Sequence, residues 1–278
     1  MQTRKGLLLF EWPFLFAMEL LIISVSALVA SGLTLFSGFG LGTILTPVFT
    51  LFFPVQTAIA MTAVVHLSTN LFKIGLVGRA AHWPTVLRFG MPAALASLAG
   101  AAALTQLADL APWYHYDFMG APRELTPIKC SIGLVIMAFA LLELSPAFSR
   151  LVFPDKWLPL GGLLSGFFGG LSGNQGALRS AFLVKAGLSK EAYVGTGAVC
   201  AVLVDAVRMV VYGLAFVTQW QGSPMGSSGH LVLAATLSAF IGAYVGKRLL
   251  HKVTLRAVEL AVAIMMVGIG GGLASGLI

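Results

Sequence analysis

Two stretches of this chain, one opening at Ser31-Gly32 and the other at Ser165-Gly166, align without a gap at an offset of 134 residues (165 − 31). Gly42 falls on Gly176, Ala58 on Ala192 and Thr62 on Thr196. Ser37-Gly38-Phe39-Gly40-Leu41-Gly42 faces Leu171-Ser172-Gly173-Asn174-Gln175-Gly176, so both copies interrupt an apolar run with glycine. Duplicated hydrophobic segments broken by glycine are the pattern of secondary transporters, in which the substrate site forms where two halves meet. The repeat divides the chain into a first half, residues 1–149, and a second half, residues 150–278.

Hydrophobic residues make up 58% of the chain and charged residues 10%, with a mean hydropathy of +0.93. The polar surface that would dissolve a soluble domain is missing, so the chain reads as an all-α, multi-pass protein of the cytoplasmic (inner) membrane. The net charge of +7 comes from 17 Lys and Arg against 10 Asp and Glu, spread over short connections. No single basic patch suits a nucleic acid, and the lipid bilayer is the expected partner. Cys130 and Cys200 lie in apolar runs without the spacing of a disulfide or metal clip, and no cofactor is expected. Arg4-Lys5 before an apolar run has the outline of a signal peptide, with small residues between Ser24 and Ser31. Cleavage there would remove the counterpart of Leu160 to Phe168, so the first segment is expected to stay.

A membrane crossing needs about 20 apolar residues. Long apolar runs occupy 12–36, 55–78, 85–108, 127–149, 157–171, 191–217, 229–246 and 257–278, and two shorter ones, 43–53 and 176–187, each follow a glycine break. This gives 8 to 10 membrane segments. Irregular backbone survives at membrane depth only when protein encloses it or it lines a wet cavity, so the breaks mark a protected interior. The second copy carries a polar stretch, Gln219 to Gly229, which reads as an exposed loop before Gly242 realigns with Gly100.

Short loops rich in Lys and Arg stay in the cytoplasm. Lys247, Arg248, Lys252 and Arg256 anchor that side, joined by Arg79 with Arg88, Arg150 with Lys156, and Lys185 with Lys190. The connection 109–126 mixes Arg123 with Asp109, Asp117, Glu124 and aromatic residues, and 218–229 has no Lys or Arg, so both read as outside. Counterpart loops then fall on opposite sides, which predicts inverted halves, each crossing an odd number of times with its short segment folded back as a hairpin or completing two crossings. Arg4-Lys5 is the exception, since the arrangement places it outside.

The paired glycine breaks, each followed by a short apolar segment and an Ala-x-x-x-Thr helix start (Ala58 to Thr62, Ala192 to Thr196), resemble the sulfite exporter TauE/SafE family of anion permeases. The resemblance runs from about Ser24 to Gly270 and rests on the duplicated order of the motifs. It implies export or uptake of sulfite, sulfonates and related sulfur-containing organic anions. Asn174-Gln175 departs from the all-small run of the family pattern, and Arg179 stands where an apolar residue or proline is usual.

Thr62, His66, Asn70 and Lys73 follow one another at steps of four, four and three, which puts them on one helix face. Thr62 suits interhelical hydrogen bonding. A lysine inside a span costs about 2.5–3.5 kcal/mol on insertion scales, so Lys73 either faces a partner or reaches for the interface. The second copy carries Thr196, Cys200, Asp205 and Arg208, with Thr196 and Cys200 in the register of Thr62 and His66. Asp205 and Arg208, three apart, form either a local ion pair or part of an ion or proton pathway. One His and one Cys make no zinc ligand set. Gly169-Gly170 and Gly173 make no nucleotide fingerprint, and Glu143 and Glu259 have no partner carboxylate in sequence, so enzymatic chemistry is not expected.

Together these features predict a permease that moves small sulfur-containing anions, in the export direction, by alternating access. Helix N-termini after the breaks present amides to the anion. The candidate substrate site comprises Gly38, Gly40, Gly42, Thr43, Thr62, His66, Asn70, Lys73, Gly173, Asn174, Gln175, Gly176, Arg179, Thr196, Asp205 and Arg208. A proton or sodium ion is the expected coupling ion, and a homo-oligomer is a further expected partner. The alternatives are a membrane-embedded accessory protein that handles a metal or cofactor, and a passive anion channel.

Overall fold

A computed structural model of the chain describes residues 3–34, 40–149, 151, 153–184, 186–221, 225–249 and 256–278. Ten principal helices follow one another: α1 (Thr3–Leu33), α2 (Leu41–Thr50), α3 (Val55–Val77), α4 (Trp83–Ala108), α5 (Pro127–Leu144), α6 (Leu158–Ser172), α7 (Gly176–Leu183), α8 (Lys190–Gln221), α9 (Met225–Leu249) and α10 (Arg256–Ser275). Six of the described stretches are long and apolar enough to cross a membrane, in α1, α3, α4, α5, α8 and α9. By the repeat register and element order, each helix of the first half has its counterpart five labels later.

Contacts between the halves follow that correspondence. Helices α1 and α9 run parallel, with the Phe16 ring against His230, the Leu28 carbonyl at Gly242 and Gly32 at Gly246. Their counterparts α6 and α4 also run parallel, with Gly162, Gly166 and Gly170 seated on the carbonyls of Phe89, Ala93 and Ser97. Helices α3 and α8 are antiparallel, since His66 meets Asp205 while Gly195 meets the Val77 carbonyl. Helices α5 and α10 are antiparallel too, with Gly133 against Gly270 and Ala274, and Glu124 against Gly276. Exchanging the halves therefore maps the set of helix pairs onto itself.

Lipid supplies no hydrophobic drive between apolar helices, so close approach through small residues carries the packing. A Cβ at Gly166 would lie 2.0 Å from the Ala93 carbonyl oxygen, and one at Gly242 would lie 2.1 Å from that of Leu28. The three glycines at steps of four on α6 thus bring its backbone against that of α4.

The segment after each long first helix folds back. Gly161 near the start of α6 abuts the Phe182 ring near the end of α7, and Ser165 Oγ donates to the Gln175 carbonyl at 3.0 Å. Helix α6 closes at Gly173, whose φ of +83° suits glycine and ends the helix in the left-handed region. The hairpin α6–α7 enters and leaves at the bundle end where α3 terminates and α8 begins. Arg79 in the turn after α3, Arg88 in the first turns of α4 and Lys190 at the start of α8 all lie at that end.

Two sequence expectations change in detail. The stretch 219–229 is helical at both ends, through Gln221 and from Met225, so the connection is shorter than its polarity suggests. The connection 109–126 folds as a β-hairpin, β1 (Tyr114–Phe118) paired antiparallel with β2 (Ala121–Leu125). Its two turn residues, Met119 (φ 52°) and Gly120 (φ 77°), give the left-handed turn that matches strand twist. Ser37, Gly38, Phe39, Arg150, Lys185, His251 and Lys252 lie outside the described residues, as do the side chains of Arg4, Lys5, Lys247, Arg248 and Arg256.

Candidate functional site

The polar face of α3 is buried in full: Thr62, His66, Asn70 and Lys73 all point inward. Lys73 is only 8% exposed, and its Nζ donates to Thr34 Oγ1 at 3.1 Å. Its head group is thus hydrogen-bonded within the bundle, between α3 and the end of α1. Asn70 Nδ2 donates to the His66 carbonyl at 2.8 Å, fixing its side chain along the helix.

One helical turn from Asn70, an ionic cluster joins the two halves. His66 Nδ1 lies 2.6 Å from Asp205 Oδ2 across the α3–α8 contact. Asp205 Oδ1 accepts from Arg208 Nε at 2.9 Å and from Gln175 Nε2 at 3.3 Å. Arg208 Nη2 is 2.8 Å from the same oxygen but off the line of a hydrogen bond, while Nη1 donates to the Gly169 carbonyl at 3.2 Å. The neighbouring Gly170 carbonyl accepts from Tyr212 Oη. Asp205 and Arg208 are both fully buried, so each neutralises a charge that would be costly alone. The ionised carboxylate can only accept, which places a proton on His66 Nδ1.

The second cationic group is separate from this cluster. Asn70, Lys73, Thr34, Arg179, Ser180 and Tyr193 line a cavity of about 40 Å³, completed by small and apolar side chains. A water needs about 10–15 Å³ of such space, so the cavity holds a few waters or one small oxyanion. Among the described residues, two cations stand on its wall and no Asp or Glu does. Arg179 Nη1 is buried and has no hydrogen-bond partner among the described residues. Tyr193 Oη donates to Ser180 Oγ at 3.0 Å, linking α8 to α7 beside Arg179.

The cavity is built once. At the 134-residue offset, Asn70 and Lys73 correspond to Val204 and Val207, Arg179 to Leu45, and Tyr193 to Ile59. The register-equivalent position is thus apolar, with Leu45, Ile59 and Val204 buried in hydrophobic packing.

The glycine breaks themselves pack against each other. A Cβ at Gly42 would lie 2.6 Å from the Gly173 carbonyl oxygen, and Gly40 abuts the backbone of Gly176. Thr43 Oγ1 is spent on the Gly40 carbonyl at 2.7 Å, and Thr46 Oγ1 reaches the Ser172 carbonyl at 3.4 Å. Asn174 Nδ2 donates to Ser172 Oγ at 3.1 Å, leaving Oδ1 without a partner among the described residues. The first turn of α2 is therefore met by main-chain carbonyls, and the cavity lies along α7 past the break. Thr196 accepts from the His82 amide at 2.9 Å and so pins the turn after α3. Thr62 Oγ1 is buried without a partner among the described residues, and Gly38 lies outside them.

Of the sequence-derived candidates, Asn70, Lys73 and Arg179 meet at the cavity, while His66, Gln175, Asp205 and Arg208 meet at the ionic cluster. Thr34, Ser180, Tyr193 and Tyr212 were not among them. Tyr212 was readable, because it extends the Asp205 and Arg208 stripe by four residues. Thr34 and Ser180 carry no such signal, since their places depend on how the breaks fold. Among the described residues no group of three His, Cys, Asp or Glu side chains converges to hold a metal ion. Cys200 is buried and Cys130 half-buried, both as free thiols.

Among known families, the model described as TauE: Sulfite exporter TauE/SafE matches residues 23–273. No curated protein sequence matches the chain.

Proposed function

Since the chain belongs to the sulfite exporter TauE/SafE family of multi-pass membrane transporters, we propose that it is a secondary permease exporting small sulfur-containing anions, sulfite or short organic sulfonates, by alternating access. The carrying observation is the cavity with Lys73 and Arg179 on its wall and no carboxylate. Two cations facing one small cavity need compensation, and a small oxyanion supplies it while accepting from Lys73, Arg179 and the Asn70 amide. The hydroxyls on the wall are already engaged, Thr34 donating to the Ser31 carbonyl and Tyr193 to Ser180, so they hold the two cations' surroundings in place rather than bind the anion. The Arg208 charge is already met by Asp205, which makes that pair a support beneath the site.

We read the halves, residues 1–149 and 150–278, as inverted repeats. Counterpart helices that pack antiparallel, α3 with α8 and α5 with α10, support a two-fold axis lying in the membrane plane. Lys73 and Asn70 belong to the first half, Arg179 and Tyr193 to the second, so rocking of one half against the other opens and closes the site.

A thermal-shift screen of the purified protein tests this reading. Sulfite or a short sulfonate should raise the melting temperature in a saturable way, because a ligand that binds only the native state stabilises it. Stabilisation by none of sulfite, sulfate, thiosulfate or the sulfonates contradicts it.

A further inference from the structure

The cationic cavity explains how an anion is held, but it leaves His66 unused. Asp205 is already balanced by Arg208 and hydrogen-bonded by Gln175, so burial of that carboxylate does not require a third partner that titrates. The chain nevertheless places an imidazole 2.6 Å from Asp205 Oδ2. Ionisable groups inside a membrane mark ion or proton pathways. Two further observations give this one a direction. The bond crosses from α3 to α8, the contact between halves that alternating access must rearrange. His66 is also tied through its carbonyl to Asn70, which stands on the cavity wall one turn away beside Lys73.

Resting on the permease reading, we propose that His66, held by Asp205, is the proton carrier of the transport cycle, so that one proton crosses with each anion in the same direction, outward whenever the internal excess of anion exceeds the opposing proton gradient. Neutral His66 donates Nδ1–H to Asp205 and takes the transported proton on Nε2. The imidazolium so formed keeps its bond to the carboxylate. An anion in the cavity attracts that added charge, and the charge in turn strengthens anion binding. Proton and anion therefore load together and leave together, as reciprocal linkage demands. Without the anion, His66 protonation adds a third positive charge beside Lys73 and Arg179 and is opposed. This is the sign that yields symport; exchange of a proton for the anion would need a carboxylate facing the cavity.

The charged groups around His66 support this role. From α8 it faces Asp205 and Arg208, from α7 Arg179, and on its own helix Lys73 lies two turns on. Helix α2 brings no ionisable side chain to α3, nor does α4 beyond Arg88 at its first turns. On α5, Lys129 pairs with Glu124 at the hairpin and Glu143 carries buried carboxylate oxygens at the opposite end of the helix, and on α9, His230 packs on Phe16. Arg79 sits in the turn beyond the end of α3. Asp205 is thus the carboxylate that fixes the imidazole, and the cavity cations are the groups its proton competes with.

The test uses the full chain in lipid vesicles, with sulfite and methanesulfonate as the probes. Equilibrium exchange at equal pH is measured first, then uptake driven by an inward proton gradient, with internal pH followed by a dye. Wild type should exchange at least one probe, accumulate it about tenfold per pH unit when one proton accompanies a monoanion, and acidify the vesicle lumen as the probe enters. His66→Gln, which keeps a donor for Asp205, should still exchange the probe while losing gradient-driven accumulation and acidification. Comparing the two proteins with the same probe cancels the proton that sulfite itself carries. Failure of wild type to exchange either probe refutes the permease reading. Exchange by wild type without proton movement, or full accumulation by His66→Gln, overturns the proton-carrier role. Should His66→Gln not purify as one species, wild-type lumen pH decides alone.

Discussion

Lys73 on α3 and Arg179 on α7 face one cavity from opposite halves of the chain, and among the described residues no carboxylate lines it. Each is held by its own half: Lys73 by Thr34 at 3.1 Å, and Arg179 by the helix that starts at the second glycine break. Removing the Thr34 hydroxyl should therefore loosen Lys73 without unfolding the bundle. Thr34→Val is expected to weaken anion affinity about tenfold or more, about 1.5–3 kcal/mol for one hydrogen bond to a charged group, with expression unchanged. Titration of the melting temperature with sulfite measures it, and an unchanged affinity removes Thr34 from the site.

The Asp205–Arg208 pair predicts a different pattern. Arg208→Ala strands a fully buried carboxylate and should destabilise by about 3–5 kcal/mol, seen as loss of monodisperse protein in detergent. Asp205→Asn combined with Arg208→Gln leaves no buried charge and should recover most of that stability. A double variant as unstable as Arg208→Ala would show that the pair is not what holds this region.

Glycines divide into those under backbone and those in open space. Gly166→Leu drives a side chain into the Ala93 carbonyl and should abolish assembly of α4 with α6. Gly75 meets nothing within 4 Å, so Gly75→Ala should be neutral or stabilise by up to about 1 kcal/mol through helix propensity. Between them lies Gly173, where any side chain incurs about 1–2 kcal/mol for the left-handed backbone and crowds Arg208 Nη1 at 3.1 Å. Gly173→Val is expected to purify yet not transport. Detergent melting curves and vesicle flux for the three variants check the order, and normal flux in Gly173→Val would reduce the break to packing.

An inverted arrangement of the halves predicts which loops share a side. His82 lies in the turn after α3, at the end marked by Arg79 and Arg88, and Met119 at the tip of the β-hairpin is 93% exposed at the far end of α4. Single cysteines at His82, Met119 and Ser228 should label from the cytoplasmic side only for His82. Labelling of Ser228 from the same side as His82 would establish a parallel repeat instead.

Much of this architecture was legible because membrane folding leaves few choices. Apolar runs near 20 residues must be helices, and the offset between Thr62 and Thr196 announces that the halves are related. The stripe from Thr62 to Lys73 was readable for the same reason, since helical spacing alone puts those residues on one face. What spacing could not give is which stripes meet. His66 and Asp205 lie 139 residues apart and join only because α3 and α8 cross antiparallel. Arg179 and Lys73 share a cavity because α6 and α7 close into a hairpin, a geometry that depends on the Gly161 contact with Phe182. The β-hairpin at Tyr114 to Leu125 was hidden by a mixed composition, and its Met119-Gly120 turn is a weak signal next to Asn-Gly.

The decisive measurement is exchange of sulfite and methanesulfonate by the protein in lipid vesicles, compared among wild type, Lys73→Gln and Arg179→Gln. Wild type should exchange at least one of the two, and each neutral variant should lose at least about tenfold of that flux while remaining folded, since a poorly hydrated anion site depends on compensating charge. Wild-type flux in both neutral variants would contradict a site built on Lys73 and Arg179, leaving hydroxyls and main-chain amides as the anion's ligands.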